Sequence, residues 1–321
     1  LSDGLLQGSI KAVSADGKVR WHLENLYYEV CRKKGPSQNN TYCLGCLGWG
    51  CFNYIAVGLL HGPLEFVALV LGALAIGGAT HHLAKTRFRP GLFPRQVFNK
   101  EWSRWAEVHG TPPSMIVPAP RTQDSGRKVL ESDLADYSFD RAVICDRSET
   151  VDLLVANNFH FENNCAVLTA SGYPPQAFDA VKGMLSRNPR LKVWVLHDAS
   201  PEGCSLAHRL KQRRDWFAEG VTIIDAGLRP ANAQPLRKLW EPAQVTKEDL
   251  DGPAFAPEEA QWLRQHRLAL AAIRPEQIVK RLFRSISADP AGWVLVGGVY
   301  VDKTSFSADA STSDGGGDSF G

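Results

Sequence analysis

The apolar residues follow three regimes along the chain. From Leu44 to Thr80 they run almost unbroken, from about Asp136 to Pro230 they form short blocks between polar stretches, and after Thr304 they become sparse. The middle regime predicts structure most directly. Four blocks, at 142–145, 166–169, 191–197 and 221–225, alternate with amphipathic stretches at 149–157, 175–187 and 202–213. That period is the one of βαβ units, and it predicts an α/β fold with a parallel sheet covered by helices on both faces. Ligands of such sheets gather at the carboxyl ends of the strands.

The first regime predicts something different. Between Leu44 and Thr80 there is no Lys, Arg or Asp, and His61 and Glu65 flank the pair Gly62-Pro63, a turn signal. The turn divides the run into 44–61 and 64–80, each near the lower limit for an α-helix that crosses a bilayer. Arg32, Lys33 and Lys34 precede the run and Lys85, Arg87 and Arg89 follow it, so both ends are expected on the cytoplasmic side. The expectation is an α-helical hydrophobic hairpin in an inner membrane, with lipid as a partner and the α/β unit facing the cytoplasm. A helical pair buried in protein is the competing reading. The expected organisation is a short helical segment at 1–40, the hairpin at 41–82, a basic juxtamembrane segment and linker at 83–135, the α/β domain at 136–235, C-terminal helices with a short strand at 236–303, and a disordered tail at 304–321.

Composition changes the picture little. The 321 residues are 44% hydrophobic and 22% charged, which excludes fibrous and wholly disordered chains. Thirty-six basic against 34 acidic side chains leave a net charge of only +2, so distribution matters more than sum. Between His81 and Lys128 the basic residues Lys85, Arg87, Arg89, Arg95, Lys100, Arg104, Arg121, Arg127 and Lys128 face only Glu101, Glu107 and Asp124, a stretch expected to seek an anionic surface. Cys145, Cys165 and Cys204 stand singly in apolar or helix-start contexts, which points to reduced thiols. Cys31, Cys43, Cys46 and Cys51 contain a single C-x2-C pair, leaving open a zinc site or ordinary buried thiols. The first long apolar run starts too far into the chain for a secretion signal, so none is expected.

Candidate chemistry lies at the predicted strand ends. Asp146 follows the first block, Asp198 follows the third, and Ser200 and Glu202 come directly after. Oxygen ligands converging on one edge of a sheet are the layout for Mg²⁺, a hard cation held by one or two carboxylates with waters and phosphate oxygens. The competing reading makes Ser200, ahead of Pro201, a helix cap and the two aspartates turn residues.

The run Ala166-Val-Leu-Thr-Ala-Ser-Gly-Tyr-Pro174 and the later Val193-Trp-Val-Leu-His-Asp-Ala-Ser-Pro-Glu-Gly203 resemble the Toprim domain of the topoisomerase VI A subunit and its meiotic double-strand-break relatives. In that family one strand ends in a Gly-Tyr-Pro turn and the next carries Asp-x-Asp-Pro-x-Gly. The resemblance implies a metal site in which Asp146 takes the place of a glutamate, Asp198 matches the first aspartate and Ser200 stands where the second would be. With two of three acids changed, Mg²⁺ is expected to bind weakly, with Glu202 or Glu149 as substitute ligands. The family also carries a tyrosine nucleophile in a preceding domain, and Leu23-Glu-Asn-Leu-Tyr-Tyr28 is similar to that motif, with Tyr28 as the candidate and Glu24 where the family has arginine. Tyr27 and Tyr28 as packing residues of an amphipathic helix are the alternative. Arg147 and Arg229, each near a strand end, are candidates for phosphate or nucleic-acid contact.

Two expectations of function follow. One is a membrane-tethered Toprim-like protein that binds DNA or another phosphate-bearing ligand at a weakened Mg²⁺ site. The other is a membrane-associated scaffold whose α/β domain binds a protein partner without catalysis.

Overall fold

The computed structural model describes residues 1–34, 92–117, 141–188, 190–217, 219–246, 248–287, 293–296 and 299–302. The apolar run 44–80 with Cys43, Cys46 and Cys51, the linker at 118–140 and the tail lie outside the described residues. Among the described residues no helix is long and apolar enough to cross a membrane.

The chain opens with helices α1 (Asp3–Val13) and α2 (Leu23–Lys34) and resumes with α3 (Arg95–His109). Strand β1 (Arg141–Cys145) leads through α4 (Ser148–Ala156) and α5 (Phe159–Glu162) to β2 (Cys165–Thr169), and α6 (Pro175–Leu185) leads on to β3 (Lys192–Leu196). After α7 (Pro201–Cys204) and α8 (Leu206–Lys211) comes β4 (Thr222–Asp225). The remainder is α9 (Pro230–Ala233), β5 (Glu241–Pro242), α10 (Pro257–Leu263), β6 (His266–Arg267), α11 (Pro275–Ser287), β7 (Trp293–Val296) and β8 (Val299–Asp302).

The main sheet runs β2-β1-β3-β4-β8-β7; five strands are parallel, and β7 alone is antiparallel, paired with β8. The four predicted apolar blocks are thus strands of a parallel α/β sheet. They read as continuous rather than alternating because both faces are covered. Val143, Cys145, Val167, Trp194, Leu196 and Ile224 pack into one core with α1–α5 and the C-terminal helices. Ala142, Ile144, Leu168, Val193, Val195 and Ile223 pack into a second core with α6 and α8. Chain order places a reversal between β1 and β3: β2 lies on one side of β1, and the chain then crosses to the other side.

Residues 92–117, which the sequence groups with a basic linker, are part of the fold. Phe98 and Trp102 of α3 are buried, with Phe98 edge-on to Tyr27 at 5.3 Å and Trp102 edge-on to Trp21 at 6.3 Å. Arg95 lies over the Tyr27 ring and pairs with Glu24 at 3.3 Å, and Arg104 approaches Glu101 at 3.9 Å. Two cations expected to seek an external anion therefore have partners inside the chain.

The two C-terminal helices expected over 257–286 are α10 and α11, with β6 between them. Ile278 and Leu282 of α11 are buried, whereas Phe283 is 49% exposed. The basic residues of this region do not form one free face: Arg267 pairs with Glu241, Arg274 with Glu29, Lys280 with Glu276, and Arg281 is buried. Trp194 Nε1 of β3 donates to Ser285 Oγ of α11 at 3.1 Å, fixing the helix on the sheet.

Asn157, at the end of α4, ties the N-terminal helices to the sheet layer. Its Oδ1 accepts from Arg20 N at 2.8 Å, and its Nδ2 donates to Arg20 O and to Leu153 O. Asn157→Ala removes both links to Arg20, at roughly 0.5–1.5 kcal/mol per bond. The expected loss, read by urea unfolding, is about 1–2 kcal/mol, and a change below about 0.3 kcal/mol would show that the junction is held by apolar packing alone.

Candidate ligand crevice at the switch between β1 and β3

β1 and β3 run side by side with Cys145 opposite Leu196, so the residues that follow them emerge together at the reversal of the sheet. In open α/β sheets that reversal opens a crevice beyond the carboxyl ends of the strands. Asp146 N extends the ladder to Leu196 O at 3.0 Å. Asp198 N donates to Asp146 Oδ2 at 2.8 Å, so the two aspartates predicted to converge are directly bonded through a main-chain amide. Asp198 is only 4% exposed. Its Oδ1 accepts from Leu270 N at 2.7 Å and its Oδ2 takes Arg147 Nη2 at 2.6 Å. The segment supplying Leu270 is pinned by a reciprocal main-chain pair between Ala199 and Leu268.

The crevice beside this pair holds about 30 Å³ and is lined by His22, Glu24, Asn25, Arg147, Glu149 and Asp198, among others. That is room for a water-sized or ion-sized guest. Two buried polar atoms here lack a partner, Asp146 Oδ1 and His22 Nε2. Buried polar atoms are nearly always satisfied, and of these two His22 lines the crevice, so its ring nitrogen calls for a water, ion or ligand group there. Burial and then the neighbouring Asp198 charge push the Asp146 carboxyl up to about 6. Burial also raises Asp198, against the opposing pull of Arg147 and the Leu270 amide. Burial lowers His22 below its ordinary value, so at neutral pH its ring is uncharged and able to accept or ligate.

The remaining sequence candidates lie elsewhere. Ser200 Oγ accepts from Gly203 N at 3.1 Å as the cap of α7, the bland reading of that residue, and neither it nor the exposed Glu202 lines the crevice. Glu149, the other substitute ligand, does line it. Tyr28 is 1% exposed and its hydroxyl donates to Glu241 Oε1 at 2.6 Å. Burial and the Glu241 charge hold that phenol far above its ordinary range, so it lacks both access and ionisation for nucleophilic attack. Glu24, one turn earlier on the same helix, reaches the crevice instead. Cys31 is buried in α2, where burial raises its thiol.

Arg229 is likewise enclosed, at 4% exposure. It pairs with Asp225 Oδ2 at 3.1 Å and Glu259 Oε2 at 3.2 Å and donates to Ala254 O, so it is committed to the interior and away from phosphate. Asp225, fully buried at the end of β4, also receives His197 Nε2 at 2.8 Å and Gly227 N at 3.1 Å. A Cβ on Gly227 would strike the His197 ring, and one on Gly203 would strike the Asp198 carbonyl, so this knot has room only for glycine at both places. The Asp-x-Gly spelling of 225–227 was the visible sequence signal; the partnership with His197 was not.

No family model, curated protein or solved structure matches the chain. The chemistry of the crevice is therefore argued from its own atoms. Among the described residues no group of three or more His, Cys, Asp or Glu is arranged to hold a metal ion. What the crevice offers is sparser: the carboxylates of Glu24 and Glu149, and Asp198 already paired with Arg147. Mg²⁺ accepts such sites, keeping most of its waters and leaning on one or two carboxylates plus a ligand's phosphate oxygens.

Proposed function

We propose that the chain is a non-catalytic binder of a phosphate-bearing ligand, DNA or a smaller phosphate ester, taken up together with Mg²⁺ at the crevice between β1 and β3. The observation that carries this reading is the ion-sized crevice lined by Glu24, Glu149, Asp198 and Arg147 at the place where α/β sheets bind ligands, with Asp146, whose Oδ1 has no partner, bonded to the Asp198 amide beside it. Arg147 supplies the second half. Its side chain is about half exposed and bound to Asp198 by one edge, so it can exchange that carboxylate for a phosphate while the acids turn to the cation. The absence of catalysis is supported by Tyr28, whose hydroxyl is occupied by Glu241, and by Ser200, which is spent on a helix cap. The likeness of 142–203 to the Toprim domain is read as kinship in fold with a weakened metal site.

The test is titration of the full chain with Mn²⁺ as a paramagnetic stand-in for Mg²⁺, followed by electron paramagnetic resonance and calorimetry. Weak binding at one site is expected, reduced at least tenfold by Asp146→Asn. A cation must displace the proton that Asp146 holds below about pH 6, so affinity should rise as pH climbs through that value and level off above it. Adding a short DNA duplex at low salt should strengthen Mn²⁺ binding, and Arg147→Gln should remove that enhancement. Binding that ignores Asp146→Asn, or no binding at any pH, would sink the metal reading and leave a protein-binding scaffold as the better account.

A further inference from the structure

We infer that the crevice selects a phosphate monoester over a diester, seating the phosphate head between the N-terminus of α4, Arg147 and the ring of His22. The inference rests on the reading of this crevice as a phosphate site and adds the class of ester. Two independent features meet here. α4 begins at Ser148, and the residue at its head, Arg147, places no side-chain cap on the first turn. The leading amides of a helix have no acceptor within it, and their partial positive charge makes an uncapped N-terminus a seat for an anion. Arg147, Glu149 and Thr150 line the crevice, so the seat opens into it. The second feature is His22, just ahead of α2, which also lines the crevice, is 8% exposed and has Nε2 unpartnered.

The chain holds His22 in place. Its main-chain N donates to Asn25 Oδ1 at 2.9 Å, and Asn25 Nδ2 donates to Ala271 O at 3.1 Å. Trp21 beside it is fully buried, with Nε1 donating to Ser114 Oγ at 2.9 Å. Burial keeps the ring neutral, and its one N–H is drawn to the main chain of Glu149, so Nε2 presents a lone pair. That lone pair needs an O–H. A phosphate monoester has one to offer, since its second proton leaves only at about pH 6 and a neighbouring nitrogen acceptor helps to retain it. A diester has lost its only proton at neutral pH, so it would leave Nε2 facing an oxyanion. The monoester also has three free oxygens, one each for the α4 amides, Arg147 and His22, where a diester has two. Charge and shape agree. Glu24 is paired with Arg95 at 3.3 Å and Asp198 with Arg147 at 2.6 Å, which leaves Glu149 as the lining carboxylate for the Mg²⁺ taken up with the ligand. Leu153, Leu270 and Ile278 give the ester's carbon body an apolar wall that free phosphate would not use. A DNA backbone is made of diesters, so the selection points to a small ligand.

The experiment is titration of the full chain at pH 7, with Mg²⁺ in excess, by phenyl phosphate, methyl phenyl phosphate and inorganic phosphate, read by calorimetry and amide NMR. Phenyl phosphate should bind about tenfold or more tightly than the diester, the scale of one unsatisfied buried group, and more tightly than inorganic phosphate. The amides of Ser148, Glu149 and Thr150 should shift as it binds. His22→Phe keeps a ring and should bring the two esters to equal affinity, while His22→Gln, whose amide oxygen can accept, should restore part of the preference. Equal affinity for the two esters in the parent, a preference that survives His22→Phe, tighter binding of inorganic phosphate, or unmoved amides at 148–150 would overturn the inference. Should His22→Phe fail to fold, the ester preference and amide shifts of the parent decide alone. If Mn²⁺ and a DNA duplex bind at the crevice while phenyl phosphate does not exceed the diester, only the ester class falls. If none of them binds, the phosphate reading of the crevice falls with it.

Discussion

Asp225→Ala is expected to lower the stability of the fold by about 3–5 kcal/mol, the usual cost of removing one partner from a buried ion pair. Asp225 is the shared anion of a closed group: His197 and Arg229 both point at it, and the three are 0%, 1% and 4% exposed for His197, Asp225 and Arg229. Burial by itself would drive His197 to its neutral form, but the Asp225 charge reverses this and holds the ring protonated well above its ordinary value. Burial by itself would raise Asp225, but His197⁺, Arg229 and the Gly227 amide bring it down to about 2. Alanine removes the anion that keeps the ring charged, so the buried His197 must give up its proton and Arg229 is left with Glu259 and Ala254 O alone, while Asp225→Asn keeps an acceptor for Gly227 N and should cost less. In His197→Gln/Asp225→Asn the charge of the ring and of its anion disappear together, and the double variant should be more stable than the two single losses add up to.

The signs of the pH dependence are opposite for the two partners. Asp225, depressed in the fold, contributes fully above its ordinary value of 3.8 and loses its contribution as pH falls toward about 2. His197, raised in the fold, contributes fully below 6.5 and loses its contribution on the alkaline side as pH climbs through its folded value. Urea midpoints of the parent measured from pH 2 to pH 10 should therefore form a plateau between these limbs, and Asp225→Ala should lose both. A loss under about 1 kcal/mol at pH 7 would mean that water reaches this knot, contrary to its burial.

The same residues show how far a sequence can be read. The four strands were legible because apolar blocks of four to seven residues between turn signals admit few other structures in an α/β rhythm, and Asp146 and Asp198 were legible because strand ends are where the register places ligands. Partners distant in sequence were not. Arg229 reads as a free cation near a strand end until the fold brings Glu259 and Ala254 against it, and Tyr28 reads as a packing residue first and a nucleophile second, while Glu241, its partner from more than two hundred residues away, is in neither reading. His22, Glu24 and Asn25 joined the crevice only through the packing of α2, which no local periodicity encodes. The short α5 at Phe159–Glu162 has a related origin: Phe159 is buried in the core, and burial of one aromatic fixes a turn of helix among polar neighbours that do not advertise it.

Glu29 is the position where that long-range packing can be weighed. It is 1% exposed in the middle of α2, and Arg274, just ahead of α11, grips it with Nε to Oε2 at 3.0 Å and Nη2 to Oε1 at 2.9 Å. Arg32 adds a 2.6 Å contact to Oε2 and donates to Ala272 O as well. Glu29→Gln keeps the shape and removes the charge, leaving two guanidinium groups crowded around a neutral amide. The expected loss is about 3 kcal/mol, the lower end of the range for a broken buried pair, because Arg274 and Arg32 retain 22% and 28% exposure and can recover some hydration. Burial would raise the Glu29 carboxyl, but the Arg274 hydrogen bond and the charges of Arg32 and Arg274 hold it below its ordinary value of 4.5. Its contribution is thus complete above pH 4.5 and lost as pH falls through the folded value, so the parent and Glu29→Gln should differ at pH 7 and converge in acid. Because α2 carries the crevice residues at one end and Lys34 at the other, loosening it at Glu29 should weaken Mn²⁺ binding as well, with Asp146 untouched. A stability difference that stays constant from pH 7 to pH 3 would show that the Arg274 clamp fills space without acting through its charge.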